Sequence, residues 1–130
     1  MLREEDRIEL TAGQQRRDFI FIDDIVQAFG AIVDFSFKQT NGLFSFEVGS
    51  GQVISIFDFA MKVKELAGNK TTDLAFGALP YRANEVMESR VDLTNLTKLG
   101  WRPVVALGDG LKLTVEQEKI NLLSLSGGAR

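Results

Sequence analysis

Gln15-Arg16-Arg17-Asp18-Phe19-Ile20-Phe21-Ile22-Asp23-Asp24-Ile25-Val26 is the stretch on which the fold of this chain turns. Its segment Arg17–Ile22 carries Phe19, Phe21 and Ile22 and reads as a strand, since aromatic and β-branched side chains suit a pleated, half-buried surface. Just beyond, the period changes. Ile25, Ala28, Phe29, Ile32 and Val33 recur at helical spacing, and Asp23 stands where its carboxylate could cap a helix from Asp24 to about Phe37. A strand feeding directly into a helix is the building unit of an α/β fold.

Working outward, the same alternation continues. Arg7–Thr11 reads as a strand, Ala12–Gln15 around Gly13 as a turn, and Met1–Glu5 as the last turn of a helix with none before it. After the helix, Thr40-Asn41-Gly42 is a break and Phe44–Val48 a short, very apolar strand. The turn Gly49-Ser50-Gly51-Gln52 follows, and then Ser55 caps a helix whose inward face is Ile56, Phe59, Ala60, Val63, Leu66 and Ala67. Gly68-Asn69 ends it. Asp73–Phe76 reads as a strand, Gly77–Asn84 as a loop holding Pro80, and Glu85–Asp92 as extended. Leu93–Leu99 makes a short helix stopped by Gly100, and Leu107 to about Leu123 a closing amphipathic helix. The expected architecture is α/β with at least part of its sheet parallel. Residues 1–123 form one lobe and residues 124–130 a flexible tail.

Composition narrows the function classes. The 130 residues suit a single domain, 45% apolar and 25% charged, with net charge −3. Basic residues do not cluster beyond Arg16-Arg17, so no nucleic-acid partner is expected. No apolar run approaches bilayer length and no signal segment opens the chain; a cytoplasmic location and no membrane partner are the expectation. With neither cysteine nor histidine, thiolate and imidazole metal sites, cysteine nucleophiles and Ser-His-Asp triads are excluded.

Few residues remain that could carry chemistry. Arg17, at the head of a strand, can clamp phosphate oxygens with its guanidinium fork, or simply pair with Asp18 or Asp23. Arg82 and Glu85 lie three apart in a loop, a sensible pair for phosphate and sugar hydroxyls, or a solvated salt bridge. Gly49-Ser50-Gly51 lacks the third glycine and distal carboxylate of a dinucleotide fingerprint and reads as a turn. Tyr81 has no lysine four residues on, so a Tyr-x-x-x-Lys pair is absent. Trp101 reads as core, and Asp23 with Asp24 as helix-capping residues rather than a metal pair.

In order along the chain, four segments resemble one family. They are Arg17-Asp18-Phe19 with Asp23-Asp24; Phe46-Glu47-Val48-Gly49-Ser50-Gly51 with Ile54-Ser55-Ile56; Phe76-Gly77-Ala78-Leu79-Pro80-Tyr81-Arg82 with Glu85-Val86-Met87; and Asp92 with Leu99-Gly100-Trp101-Arg102-Pro103. Together they resemble the C-terminal, substrate-binding part of the extended short-chain dehydrogenases/reductases, the NAD-dependent epimerase/dehydratase family acting on nucleotide sugars. The resemblance implies a substrate-binding lobe with a strand-helix remnant of a Rossmann-type sheet. It also implies a truncated piece of a larger enzyme, whose missing N-terminal Rossmann half would bind NAD or NADP. This chain alone would bind no cofactor and turn nothing over. By the same resemblance, Arg17 and Arg82 contact the diphosphate of a nucleotide-diphosphate sugar, and Glu85 meets the ribose. Glu47 departs from the family's usual asparagine, so it should point away from a diphosphate. A homo-oligomer is expected. The competing reading is a non-catalytic α/β binding or assembly module derived from that lobe.

Overall fold

A computed structural model describes residues 6–127. The helical turn expected at Met1–Glu5 therefore lies outside the described residues. Strand β1 (Arg7–Leu10) pairs in parallel with β4 (Asp73–Phe76), Arg7 beside Asp73 and Leu10 beside Phe76. Strand β2 (Arg16–Asp18) pairs antiparallel with β3 (Val53–Ser55), Arg16 beside Ser55 and Asp18 beside Val53. Parallel strands need a long crossover. Here helices α1 (Ile22–Phe37) and α2 (Ile56–Ala67) lie between β1 and β4 in the chain. The α/β class with a partly parallel sheet is what the sequence led us to expect.

Helix α2 is specified at both ends. The Ser55 hydroxyl accepts the Asp58 N–H at 3.0 Å and donates to the Asp58 carboxylate at 2.6 Å. Gly68 turns into the left-handed region at φ 69°, so its own N–H and that of Asn69 donate back to the Glu65 and Lys64 carbonyls. The helix lies against β3 and α4 (Leu107–Gly127), and Phe59 stacks on Phe19 with ring centres 3.9 Å apart.

Helix α1 corrects two expectations. It begins at Ile22, directly after an extended Phe21 whose side chain makes no capping bond. The expected strand Arg17–Ile22 ends at Asp18, and residues 19–21 lead from it into the helix. Asp23 is exposed and caps nothing, while Asp24 is only 2% exposed and accepts the N–H groups of Val104 (3.1 and 3.2 Å) and Val105 (3.0 Å). The reason is positional. Asp24 falls on the inward face of the first turn, where two amides of the segment before α4 need an acceptor.

The core forms where that inward face meets α3 (Thr94–Lys98): Ala28, Leu96 and Trp101 are buried, with Ile20, Ile32, Phe46, Val48 and Leu99 packed around them. Trp101 is core, as expected. Phe29 and Val33, however, face outward. With Ile22, Val26 and Phe37 they form a second apolar stripe, each 48% exposed or more. A helix apolar on two sides has its hydrophobic period satisfied by either face, so spacing alone could not say which one this chain buries.

Phe44–Val48 is not a strand here. Among the described residues no backbone–backbone hydrogen bond involves residues 43–48. The segment is held by its side chains, the Phe44 and Phe46 rings standing edge-on to Phe35 with centres 4.9 and 5.6 Å away. An apolar run signals a face to bury, but a strand also needs a free neighbouring edge. Helix α4 reaches Gly127, four residues past the expected Leu123, with Leu107, Leu111, Val115 and Leu122 turned inward.

Candidate functional site

The segment between β4 and α3 crosses the ends of β1 and β2 and is fastened there by backbone groups. The Leu79 N–H donates to the Leu10 carbonyl at 3.0 Å, and the Arg16 N–H to the Met87 carbonyl at 2.7 Å. The Ser89 N–H returns to the Arg16 carbonyl at 3.1 Å. The Tyr81 hydroxyl accepts the Gln14 N–H at 2.9 Å. The bonds to Arg16 pin the loop to the strand that carries Arg17, and those to Leu10 and Gln14 fasten it to β1 and the turn between the two strands.

This lacing brings Glu85 onto Arg17. Their Nη2–Oε1 distance is 2.6 Å, with the side chains 27% and 19% exposed. The Nη1 of Arg17 also donates to the Arg16 carbonyl at 2.9 Å. Arg17 therefore pairs with neither Asp18 nor Asp23, and Glu85 does not pair with Arg82. Instead the Glu85 N–H closes a turn onto the Arg82 carbonyl at 3.1 Å, leaving the Arg82 guanidinium exposed, with no ion pair among the described residues. Of the three candidate residues, the structure joins two directly and places the third one turn along the same loop.

A guanidinium has five N–H groups in a planar fork. Two nitrogens of Arg17 are engaged, so its remaining N–H groups sit on a side chain that can no longer swing freely. A held arginine with an open one nearby suits an anion bearing several oxygens.

The turn at Gly49-Ser50-Gly51 is closed to such a ligand. The Asp18 carboxylate accepts the Ser50 N–H at 2.7 Å and the Gly51 N–H at 2.8 Å. A side chain on Gly49 would come within 2.8 Å of Val91 Cγ2 and 2.9 Å of Asp18 Oδ2. The amides that could cradle a phosphate are filled by the protein's own carboxylate, so this turn does not fit a dinucleotide pyrophosphate. Glu47 is likewise occupied: its carboxylate accepts the Asp92 N–H at 2.8 Å, away from Arg17 and Arg82 in the hydrogen-bond network. Beside it, Asp92 accepts both the Thr94 N–H (2.9 Å) and the Thr94 hydroxyl (2.6 Å). These bonds to Thr94 hold the Asp92 carboxyl below its ordinary pKa, with Lys98 adding a smaller pull.

Neither the tether from Tyr81 nor the one from Asp18 is among the sequence expectations for these residues. Their roles as tethers depend on groups 67 and 32 residues away, which no local pattern announces.

The chain matches no family model. It is 34% identical over 97 residues to CDP-abequose synthase of Salmonella typhimurium, covering 74% of this chain and 32% of that protein. Its fold is similar to the crystal structure of a UDP-glucose 4-epimerase from Thermotoga maritima with UDP-glucose. The TM-score there is 0.72 and the identity 30%, over 92% of this chain and 36% of that one. It is also similar to the Thermus thermophilus UDP-glucose 4-epimerase complexed with NAD, at TM-score 0.67 and 25% identity, covering 85% of this chain and 34% of that one. The chain spans about a third of the length of the relatives it matches.

Proposed function

Because the chain belongs to the NAD-dependent epimerase/dehydratase family of extended short-chain dehydrogenases/reductases, we propose that it is the part that holds a nucleotide-diphosphate sugar. Arg17 and Arg82 grip the diphosphate, and Glu85 reaches the ribose. The whole protein acts on that sugar as an epimerase, dehydratase or reductase. NAD or NADP is held elsewhere than on the Gly49–Gly51 turn, whose amides already carry Asp18. The chain alone is inactive, and its uncovered apolar helix face makes it self-associate.

The observation that supports this reading most is the half-buried Arg17–Glu85 pair at 2.6 Å, with a second, unpaired arginine on the same fastened loop. A purely structural pair would not require Arg82 to stay open. The test is a titration of the full-length protein with UDP-, GDP-, CDP- and dTDP-sugars. Arg17→Ala and Arg82→Ala should each weaken the best ligand about tenfold to a hundredfold, the value of losing a charge-assisted hydrogen-bond pair. Arg17→Lys and Arg82→Lys should also be impaired, because an ammonium cannot reproduce the fork. Wild-type affinity in both alanine variants would refute the assignment.

A further inference from the structure

We infer that Glu85 is a positioning residue for Arg17, so that its largest contribution to ligand binding is made through the diphosphate and not only through the ribose. This rests on the reading above, in which Arg17 meets the diphosphate. The geometry behind it is specific. Glu85 Oε1 lies 2.6 Å from Arg17 Nη2, and the Arg16 carbonyl lies 2.9 Å from Nη1. One planar group is thus fixed on two of its three nitrogens by acceptors from two different segments. Nε and the outer N–H groups are left for a ligand.

The backbone that carries this carboxylate is tethered on both sides. The Glu85 amide is bonded to the Arg82 carbonyl, and the loop around it is pinned by Tyr81 to Gln14 and by Met87 and Ser89 to Arg16. A free arginine side chain gives up much rotamer freedom when it binds an anion. One already held loses less, so more of the new interaction appears as affinity. The same turn joins Glu85 to Arg82, so the loop that orients one arginine also carries the other. Holding Arg17 and presenting Arg82 are a single structural event.

Simple charge counting makes the opposite forecast. Removing a carboxylate from beside an anion site should tighten a diphosphate, because one repulsive charge has gone. Positioning says that binding weakens instead. A contact to ribose alone says that nucleoside and nucleoside diphosphate lose affinity by the same factor.

The experiment compares UDP, GDP, CDP and dTDP with their nucleosides on the full-length protein, using the base that binds best, by calorimetry or displacement. Glu85→Ala should weaken the diphosphate about tenfold more than the nucleoside. Glu85→Gln, the same shape with a neutral acceptor, should fall between Glu85→Ala and wild type. In an Arg17→Ala background, Glu85→Ala should add no further diphosphate-specific loss. The near-ultraviolet signal of the lone Trp101, buried in the core, confirms that each variant is folded. Equal losses for both ligands, or tighter diphosphate binding by Glu85→Gln, overturn the inference while leaving Arg17 at the diphosphate. Unchanged diphosphate affinity in Arg17→Ala, or no binding of any of the four diphosphates, overturns the binding assignment and the inference together.

Discussion

Asp24 shows how much one residue can hold at a distance. Its buried carboxylate is the acceptor for two consecutive amides, Val104 and Val105, eighty residues along the chain. Asp24→Ala leaves both donors without a partner and should cost roughly 2–4 kcal/mol of stability by urea unfolding. A loss under 1 kcal/mol would mean that water replaces the carboxylate. Asp92 supplies the pH dependence. Its folded pKa lies below the ordinary 3.8, chiefly because of the Thr94 hydroxyl, so its contribution is complete above that value and fades as pH falls through the folded one. NMR titration should place its midpoint below 3.8, and Thr94→Val should move it upward. A midpoint that ignores this change would remove the hydroxyl as the cause. The sequence made Arg17, Arg82 and Glu85 visible as residue types able to bind an anion. Which carboxylate pairs with Arg17 was not visible, because the sequence offers the nearby Asp18 and Asp23, and only the loop fastening brings in Glu85, 68 residues away.

At the scale of elements, legibility followed locality. Helix α2 could be read end to end, because its cap, its apolar face and its terminal glycine all lie within fourteen consecutive positions. Ser55→Ala should therefore destabilise the chain by about 1 kcal/mol; no change in unfolding midpoint would contradict the capping bond seen at 3.0 Å. Phe44–Val48 is the opposite case. Phe46 and Val48 pack against the core as the pattern suggests, and the Phe44 ring stands edge-on to Phe35 while half exposed, but strand pairing is a property of two segments, and one segment cannot declare it. Helix α1 was legible as a helix, whereas its start and its buried face were set by Asp24 and by α3.

For the whole molecule, the outer stripe of α1 decides behaviour in solution. Ile22, Val26, Phe29, Val33 and Phe37 lie along one helix face, and Leu43 and Phe44 are exposed further along the chain. Apolar patches of this kind are rarely left to water, so the 130-residue chain should self-associate. Light scattering over a dilution series should show mass rising with concentration, and a monomer throughout would contradict it. Incubated with NAD and nucleotide sugars, the same chain should leave both unchanged, since it has no Tyr-x-x-x-Lys pair; turnover abolished by a single substitution in it would be decisive against that. The central claim is that Arg17 and Arg82 hold a diphosphate. Its most direct test is a crystal structure of the full-length protein with its best-binding nucleotide-diphosphate sugar. The account predicts diphosphate oxygens within about 3 Å of both guanidinium groups, with Arg17 still paired to Glu85. A diphosphate seated on the Ser50–Gly51 amides, or anywhere beyond reach of both arginines, would contradict it.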